Sequence, residues 1–174
     1  GCLTLFAFSS ENWKRPEEEV STLMKLFLRM LDTEIEELHR RGVRIRFIGQ
    51  RSDFAPEIIE KMAWAEALSA GNTALQLNIA GSYGGRWDIV NACRSLLVAE
   101  GSGLRAEQIT EASLGRYMAL ADQPEPDLLI RTGGDCRISN FLLWQSAYTE
   151  FWFTATLWPD IDRAQLQEAV IDFG

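Results

Sequence analysis

The chain has 174 residues, of which 47% are hydrophobic and 24% are charged, a composition of folded globular proteins that excludes disordered and fibrous classes. Its formal net charge of -8 repels a phosphate backbone, so no nucleic acid partner is expected. Three cysteines without a CxxC spacing indicate neither a disulfide framework nor a zinc site, and they favour a reducing cytoplasm.

The two ends of the chain bear on its domain organisation. Gly1 leads directly into an apolar run, and Gly174 follows a helical pattern that is still in progress. We therefore expect a single domain over residues 1–174 that is a piece of a longer protein, truncated at both ends. No apolar run approaches the roughly 20 residues that span a bilayer.

Five short apolar runs predict strands. Near-continuous apolar runs are typical of strands that are buried on both faces of a parallel sheet. In chain order the predicted strands are Leu3–Phe8, Val43–Gly49, Ala74–Gly81, Asp127–Gly133 and Glu150–Pro159.

Helical patterns separate these strands. Pro16 and the three glutamates after it favour a helix start, and the apolar spacing continues to Gly42. Further helices are predicted at Phe54–Ala70, Arg86–Ala99, Ala106–Leu120, Ser139–Tyr148 and Asp162–Phe173. The alternation predicts an α/β fold with a central, mainly parallel sheet flanked by helices, and ligands are then expected at the carboxyl ends of the strands.

The segment from Asp127 to Glu150 carries the strongest chemical signal. Arg131 ends a predicted strand, two glycines follow, then Arg137, and Ser139 is placed to cap a helix. Two guanidinium groups, a hydroxyl and helix-terminal amides suit a diphosphate. The alternative is a strand-turn-helix connection with solvated arginines.

A second polar segment, SSENWKRP at residues 9–16, also follows a strand and precedes a helix. Ser9, Ser10, Asn12 and Arg15 offer further phosphate donors, and Trp13 offers an apolar wall. The alternative is an ordinary helix-entry loop in which serine and asparagine serve the turn.

Two other features have mainly structural interpretations. Ser82–Asp88 contains two glycines and an arginine but matches no nucleotide-binding fingerprint, so we interpret it as a turn with Asp88 near the helix start. With a single histidine in the chain, metal ligands are restricted to carboxylates such as Glu150, Glu11 or Asp135, which would suit magnesium.

Three long motifs resemble the cis-prenyltransferases, most closely the bacterial members that make polyprenyl diphosphates. They are SSENWKRP at 9–16, NIAGSYGGRWDIV at 78–90 and RTGGDCRISNFLLWQSAYTEFWF at 131–153, in the family's order. The resemblance implies a parallel-sheet α/β fold with an apolar tunnel, for which Leu23, Met24, Phe27, Leu31 and Leu75 are candidates. It also implies cis condensation of isopentenyl diphosphate onto farnesyl diphosphate with Mg2+, giving a polyprenyl diphosphate such as the undecaprenyl carrier of cell-wall synthesis.

The resemblance also implies roles for individual residues. Asn12 matches an asparagine assigned to removal of the isopentenyl proton; because a neutral amide is a poor base, we interpret it as a group that positions substrate or water. Glu150 matches a magnesium-associated glutamate. The implied substrate-binding residues are Ser9, Ser10, Glu11, Trp13 and Arg15 in the first loop, and Arg131, Arg137, Ile138 and Ser139 in the second.

The chain also departs from the family pattern. It lacks the Asp-Gly-Asn-Gly-Arg motif that precedes the first motif in the family, and it ends before a basic C-terminal segment. The 174 residues alone are therefore expected to have little activity. A homodimer in the cytoplasm, touching the membrane transiently through its apolar product, is the expected setting. The alternative is a non-catalytic partner subunit of the same fold.

Overall fold

The computed structural model describes residues 1–174, with side chains described for residues 1–101 and 103–174. The chain divides into two compact units, residues 1–88 and residues 89–174. The expectation of a single domain remains a prediction. Among the described residues, no helix combines the length and the apolar character needed to cross a membrane.

A three-stranded parallel sheet forms the centre of the first unit. Its strands are β1 (Cys2–Ser9), β2 (Val43–Ile48) and β3 (Leu75–Tyr83), in the order β1-β3-β2. Each strand lies where the sequence predicts one. The parallel pairing confirms the α/β prediction and brings three strand ends to one edge of the sheet.

The central strand is the most buried. Leu77 and Ile79 are core residues and every residue from Leu77 to Tyr83 is buried. The prediction that β1 is buried on both faces is wrong, because Leu3 and Phe6 are 45% and 36% exposed. Among the described residues β1 pairs on one side only, with β3, so one side of its ladder remains open.

Three helices of this unit pack around a common core. They are α1 (Glu17–Thr33), α2 (Ile35–Arg40) and α3 (Pro56–Ser69). The single helix predicted to Gly42 is thus two helices, divided at Glu34, whose N–H still bonds to the Met30 carbonyl. Leu31 and Ile35 flank the break and are both fully buried, so the apolar stripe continues across it.

Side chains of α3 satisfy the outer backbone groups of β2, which is an edge strand. Ser69 accepts from the N–H of Ile45 at 3.0 Å, and Glu66 accepts from the N–H of Phe47 at 2.8 Å. These bonds replace a neighbouring strand and so discourage pairing of this edge with another chain.

The second unit contains a two-stranded parallel sheet and shorter elements. Its strands are β4 (Leu128–Arg131) and β5 (Glu150–Phe153). Helix α4 (Gly85–Glu100) begins in the first unit and continues into the second, followed by α5 (Glu111–Gly115) and α6 (Arg163–Phe173). Asp162 caps α6 by accepting from the N–H of Gln165 at 2.9 Å.

Two predicted elements of this unit are too long. The helix over Ala106–Leu120 is wrong except at α5, because Thr110 is extended and caps the helix that starts after it. The strand predicted over Glu150–Pro159 ends at Phe153, because its partner β4 ends at Arg131. The last bond between the two segments runs from the N–H of Thr154 to the carbonyl of Arg131, at 3.0 Å.

The helix predicted over Ser139–Tyr148 is wrong, and turns occupy this segment. Ser139, Asn140 and Leu142 have φ values of 52°, 61° and 42°. Left-handed backbone at three positions is incompatible with a right-handed α-helix. Ser139 therefore caps no helix, and helix-terminal amides do not contribute to an anion site there.

Close approach of two strands explains Gly49, which follows β2. Its φ is 116°, and a Cβ at this position would lie 2.1 Å from the carbonyl oxygen of Gly81 in β3. The chain can therefore turn from β2 toward the end of β3 only with glycine at this position.

We expect Gly49→Ala to reduce the free energy of unfolding by about 2–4 kcal/mol, from left-handed strain and the clash with Gly81. Urea denaturation measures the change. Gly71→Ala is the control, since Gly71 has an ordinary φ and no atom within 4 Å of the added methyl group. Equal midpoints for the two variants would contradict the steric explanation.

Candidate active site

The turn after β1 is held by hydrogen bonds that join Ser9 to Glu11 and to Asn12. We name residues 9–15 the Asn12 turn. Ser9 accepts from the N–H of Glu11 at 3.1 Å, and the Ser9 N–H donates to Asn12 Oδ1 at 2.8 Å. The turn continues as a short 3-10 helix over Ser10–Lys14.

This bond determines what Asn12 can offer a substrate. Its Oδ1 already accepts a backbone N–H, so the amide NH2 group, a hydrogen-bond donor, is the part that can bind a ligand. The interpretation of Asn12 as a positioning group remains a prediction.

The serine hydroxyls and the arginine of the Asn12 turn are paired with carboxylates. Both serine hydroxyls, of Ser9 and of Ser10, donate to Glu11 Oε2, the second at 3.3 Å. Arg15 forms an exposed ion pair with Glu19 at 3.5 Å. Each of these predicted hydroxyl and guanidinium donors therefore already faces a carboxylate.

Trp13 fixes the Asn12 turn to the core. Its ring lies edge-on to Phe8 and Phe54, with ring centroids 4.8 and 5.7 Å apart. The indole N–H donates to Ser82 Oγ at 2.8 Å, and Ser82 donates to Asp53 Oδ2 at 2.5 Å. Sequence reasoning missed Asp53 altogether and treated Ser82 only as part of a structural turn.

Asp88, in the motif at residues 78–90, is bound within the fold. It is 1% exposed and accepts from the hydroxyl of Tyr83 at 2.8 Å. Trp87, beside it, donates to Gln50 Oε1 at 3.1 Å. These bonds fix the entry into α4.

The turn after β4, residues 131–139, is named the Arg131 turn. The N–H groups of Gly133 and Gly134 donate to the carbonyls of Thr156 and Thr154 at 2.8 and 2.9 Å. Both glycines have positive φ, 88° and 80°. A Cβ at either position would meet no close atom. Glycine is therefore favoured here by the left-handed backbone conformation and not by lack of space.

Two guanidinium groups share one carboxylate oxygen in this turn. Arg131 and Arg137 donate to Asp135 Oδ2 at 3.0 and 2.6 Å, and Arg131 donates through its second terminal nitrogen to Ser139 Oγ at 2.6 Å. The alternative of solvated arginines fails for Arg131, whose side chain is only 22% exposed. Its buried Nε has no hydrogen-bond partner among the described residues.

Ile138 contributes apolar surface to the same turn. It is partly buried, and its carbonyl accepts from the N–H of Phe141 at 3.3 Å. Four residues predicted to bind one diphosphate, Arg131, Arg137, Ile138 and Ser139, therefore lie in one turn that is already arranged around an anion.

Residues 1–174, the whole chain, match the prenyltransferase family model described as "Putative undecaprenyl diphosphate synthase". The chain belongs to this family. The match confirms the cis-prenyltransferase resemblance of the three motifs.

Curated relatives carry names that agree with this family. The chain is 62% identical over 173 residues to the farnesyl-diphosphate-specific ditrans,polycis-undecaprenyl-diphosphate synthase of Xanthomonas campestris pv. campestris, covering 99% of this chain and 67% of the relative. It is 54% identical to an isoprenyl transferase of Nitrosomonas europaea, covering 98% of this chain and 64% of the relative. The chain thus spans about two thirds of the length of the curated relatives that it matches.

Solved structures of the family share the fold. Lavandulyl diphosphate synthase from Lavandula x intermedia, in complex with dimethylallyl diphosphate, has a TM-score of 0.93 at 36% identity, covering 99% of this chain and 75% of its own. A probable undecaprenyl diphosphate synthase from Campylobacter jejuni has a TM-score of 0.89 at 34% identity, with coverages of 99% and 79%. The predicted α/β fold of the cis-prenyltransferases is confirmed.

The described residues do not by themselves form a magnesium site. No group of three acidic, histidine or cysteine side chains among them could hold a metal ion. Glu150 pairs with Leu128 at the start of the β4–β5 ladder, whereas Arg131 pairs with Phe153 at its end, a separation of about 10 Å along the strands. Asp135, the carboxylate beside Arg131, is bonded to two arginines.

The candidate tunnel residues of the first unit pack in or against its core. Phe27 and Leu31 are 8% and 1% exposed, and Phe27 stacks on Phe54 with ring centroids 5.7 Å apart. Met24 and Leu75 are partly buried against this cluster, and Leu23 is partly exposed. Their role as a tunnel wall remains a prediction.

We expect Arg131→Lys to weaken binding of inorganic diphosphate about tenfold, because lysine cannot present two parallel N–H donors to phosphate oxygens. Isothermal titration calorimetry measures this affinity. Arg116→Lys, at an exposed position after α5, should leave it unchanged. An unaltered affinity in Arg131→Lys would remove the Arg131 turn from the diphosphate site.

Proposed function

We propose that the protein is a cis-prenyltransferase that condenses isopentenyl diphosphate units onto farnesyl diphosphate, giving a long polyprenyl diphosphate of the undecaprenyl type. The observation that carries the proposal is the Arg131 turn, in which the two guanidiniums of Arg131 and Arg137 lie around one anionic oxygen. The high identity to synthases named for this reaction supports the same substrates.

The Arg131 turn would bind the diphosphate group of isopentenyl diphosphate. The isopentenyl diphosphate would replace Asp135 as the anion between Arg131 and Arg137, with Ser139 as an additional donor. A diphosphate carries more charge and more oxygens than the carboxylate, so it can engage both arginine forks at once. Holding this group fixes the isopentenyl double bond relative to the allylic carbon.

The Asn12 turn would serve the chemical step. The bond between the allylic carbon and its diphosphate breaks, a carbon–carbon bond forms to the isopentenyl unit, and that unit then loses a proton. The Asn12 NH2 group would orient a diphosphate oxygen or water as proton acceptor, since its Oδ1 is engaged by Ser9. Ser9, Ser10, Glu11, Trp13 and Arg15 would contact the substrates around it.

Mg2+ would supply charge neutralisation at the departing diphosphate when it is bound. The proposed protein ligand is Glu150, an exposed carboxylate; an ion held mainly by diphosphate oxygens and water requires only one or two such ligands. The described residues offer no group of three such ligands, so diphosphate oxygens and water would supply most of the coordination.

We further propose a homodimer in the cytoplasm that touches the membrane transiently through its product. The support is chemical: a long polyprenyl chain partitions into lipid, while the net charge of -8 argues against electrostatic adsorption to anionic lipid. Sedimentation with and without vesicles of neutral phospholipid, before and after turnover, tests this proposal.

The activity is tested by incubating the full-length protein with farnesyl diphosphate, labelled isopentenyl diphosphate and Mg2+, and sizing the extracted products. We expect long cis-polyprenyl diphosphates, and a loss of about 100-fold in kcat for Asn12→Ala, as for a group that orients reacting atoms. Thr22→Ala, at an exposed position of α1, is the control. A folded protein that makes no product would favour the non-catalytic partner subunit.

Glu150→Gln tests the metal assignment separately. We expect the Mg2+ concentration for half-maximal activity to rise about tenfold, because one anionic ligand is lost. Glu168→Gln, at an exposed position of α6, should leave the Mg2+ titration unchanged. Coincident Mg2+ curves for wild type and Glu150→Gln would exclude Glu150 as a ligand.

A further inference from the structure

A chain of two hydrogen bonds joins the ends of all three strands in the first unit. Trp13 follows β1, Asp53 follows β2, and Ser82 lies near the end of β3. Trp13 Nε1 lies 2.8 Å from Ser82 Oγ, which lies 2.5 Å from Asp53 Oδ2. We name this arrangement the Trp13–Ser82–Asp53 chain.

The chemistry of the three groups determines the direction of both bonds. An indole N–H can only donate, and an ionised carboxylate can only accept. The Ser82 hydroxyl must therefore accept from Trp13 and turn its own hydrogen toward Asp53. Hydrogen bonds in series polarise and strengthen one another, so the Asp53 carboxylate makes Ser82 a better acceptor for Trp13.

Ser82 is held in an unfavourable backbone conformation to make these bonds. Its φ is 48°, and the residue is fully buried. Its carbonyl accepts from the N–H of Gln50 at 3.1 Å, in the segment that leads to Asp53. A left-handed, buried non-glycine residue persists only where its surroundings impose that conformation, and such positions cluster at functional sites.

The effect on the Asn12 turn follows from the position of Trp13. Trp13 and Asn12 are neighbours in one 3-10 turn of five residues, Ser10–Lys14. Ring packing on Phe8 and Phe54 fixes the plane of the indole, but edge-on contacts permit it to slide. The hydrogen bond to Ser82 opposes this sliding motion of the indole. It thereby restrains the backbone of the 3-10 turn that carries Asn12.

We propose that Ser82 and Asp53 are positioning residues, which act through the Trp13 indole to hold the Asn12 turn in its reactive arrangement. The inference rests on the proposed function, because the turn matters for catalysis only if Asn12 serves the condensation. It adds to that function two residues to which the resemblance assigned no role, Ser82 within the motif at 78–90 and Asp53 outside all three motifs.

The test compares Ser82→Ala and Asp53→Ala with conservative variants in the full-length protein. We expect kcat to fall about tenfold in Ser82→Ala and several-fold in Asp53→Ala, with KM for isopentenyl diphosphate within about threefold of wild type. Asp53→Asn and Ser82→Asn should retain most of kcat, since an amide preserves an acceptor, and asparagine tolerates the left-handed backbone.

A second measurement does not depend on activity. The Trp13 indole N–H resonance, identified by its loss in Trp13→Phe, reports the bond to Ser82 by NMR. We expect its exchange with solvent to accelerate at least about tenfold in Ser82→Ala. We also expect it to shift in Asp53→Ala, although Asp53 does not touch the indole.

Two matched controls separate positioning from stability. Ser69→Ala removes another fully buried hydroxyl that makes two hydrogen bonds, to the N–H of Ile45 and the carbonyl of Ala65. It should lower the urea midpoint without altering kcat. Asp32→Asn removes an exposed carboxylate paired with Lys61 and should alter neither.

The outcomes distinguish this proposal from the proposed function. An active protein in which Ser82→Ala changes only the urea midpoint, as Ser69→Ala does, would overturn the positioning role and leave the function standing. A protein without activity would overturn the function and, with it, the catalytic meaning of the Trp13–Ser82–Asp53 chain. The indole resonance would still decide whether the three groups are coupled.

Discussion

Burial of strand β3 is the constraint on which the first unit depends. A parallel strand with a neighbour on each side has its backbone groups paired, so the strand can be buried, as Leu77 and Ile79 are. Because β1 and β2 are both registered against β3, their carboxyl ends arrive beside Gly81 and Ser82. The Asn12 turn, the change of direction at Gly49 and the start of α4 all lie at this edge.

Local pairing with carboxylates is the second theme of the molecule. In an acidic chain, Arg131, Arg137 and Arg15 are held by Asp135 or Glu19, and two serine hydroxyls are held by Glu11. Such pairing at partly exposed positions stabilises the fold little, but it keeps the guanidinium and hydroxyl groups in place before a ligand arrives. Under the proposed function, the diphosphate would compete with these carboxylates, and its greater charge would favour it over singly charged anions.

Sequence patterns were most successful where one local signal dominates. The β1, β2 and β3 strands, helices α3 and α4, and the capped start of α6 at Asp162 all appear within about two residues of their predicted bounds. Failures occurred where long-range contacts override local preference. The apolar residues of 139–148 have helical spacing, yet three left-handed residues produce turns. The serine proposed as a helix cap instead accepts from Arg131.

The sequence by itself determined the family, the α/β class, and the residue types that can bind diphosphate, because motif order and apolar periodicity are properties of the chain. It could not determine that β1 is half exposed or that Asn12 has its carbonyl oxygen engaged. Nor could it show that Trp13, Ser82 and Asp53 form one chain, since these residues are up to 69 positions apart along the sequence. Only the parallel register of three strands brings them within hydrogen-bonding distance, and hydrogen bonds depend on distance in space and not on spacing along the chain.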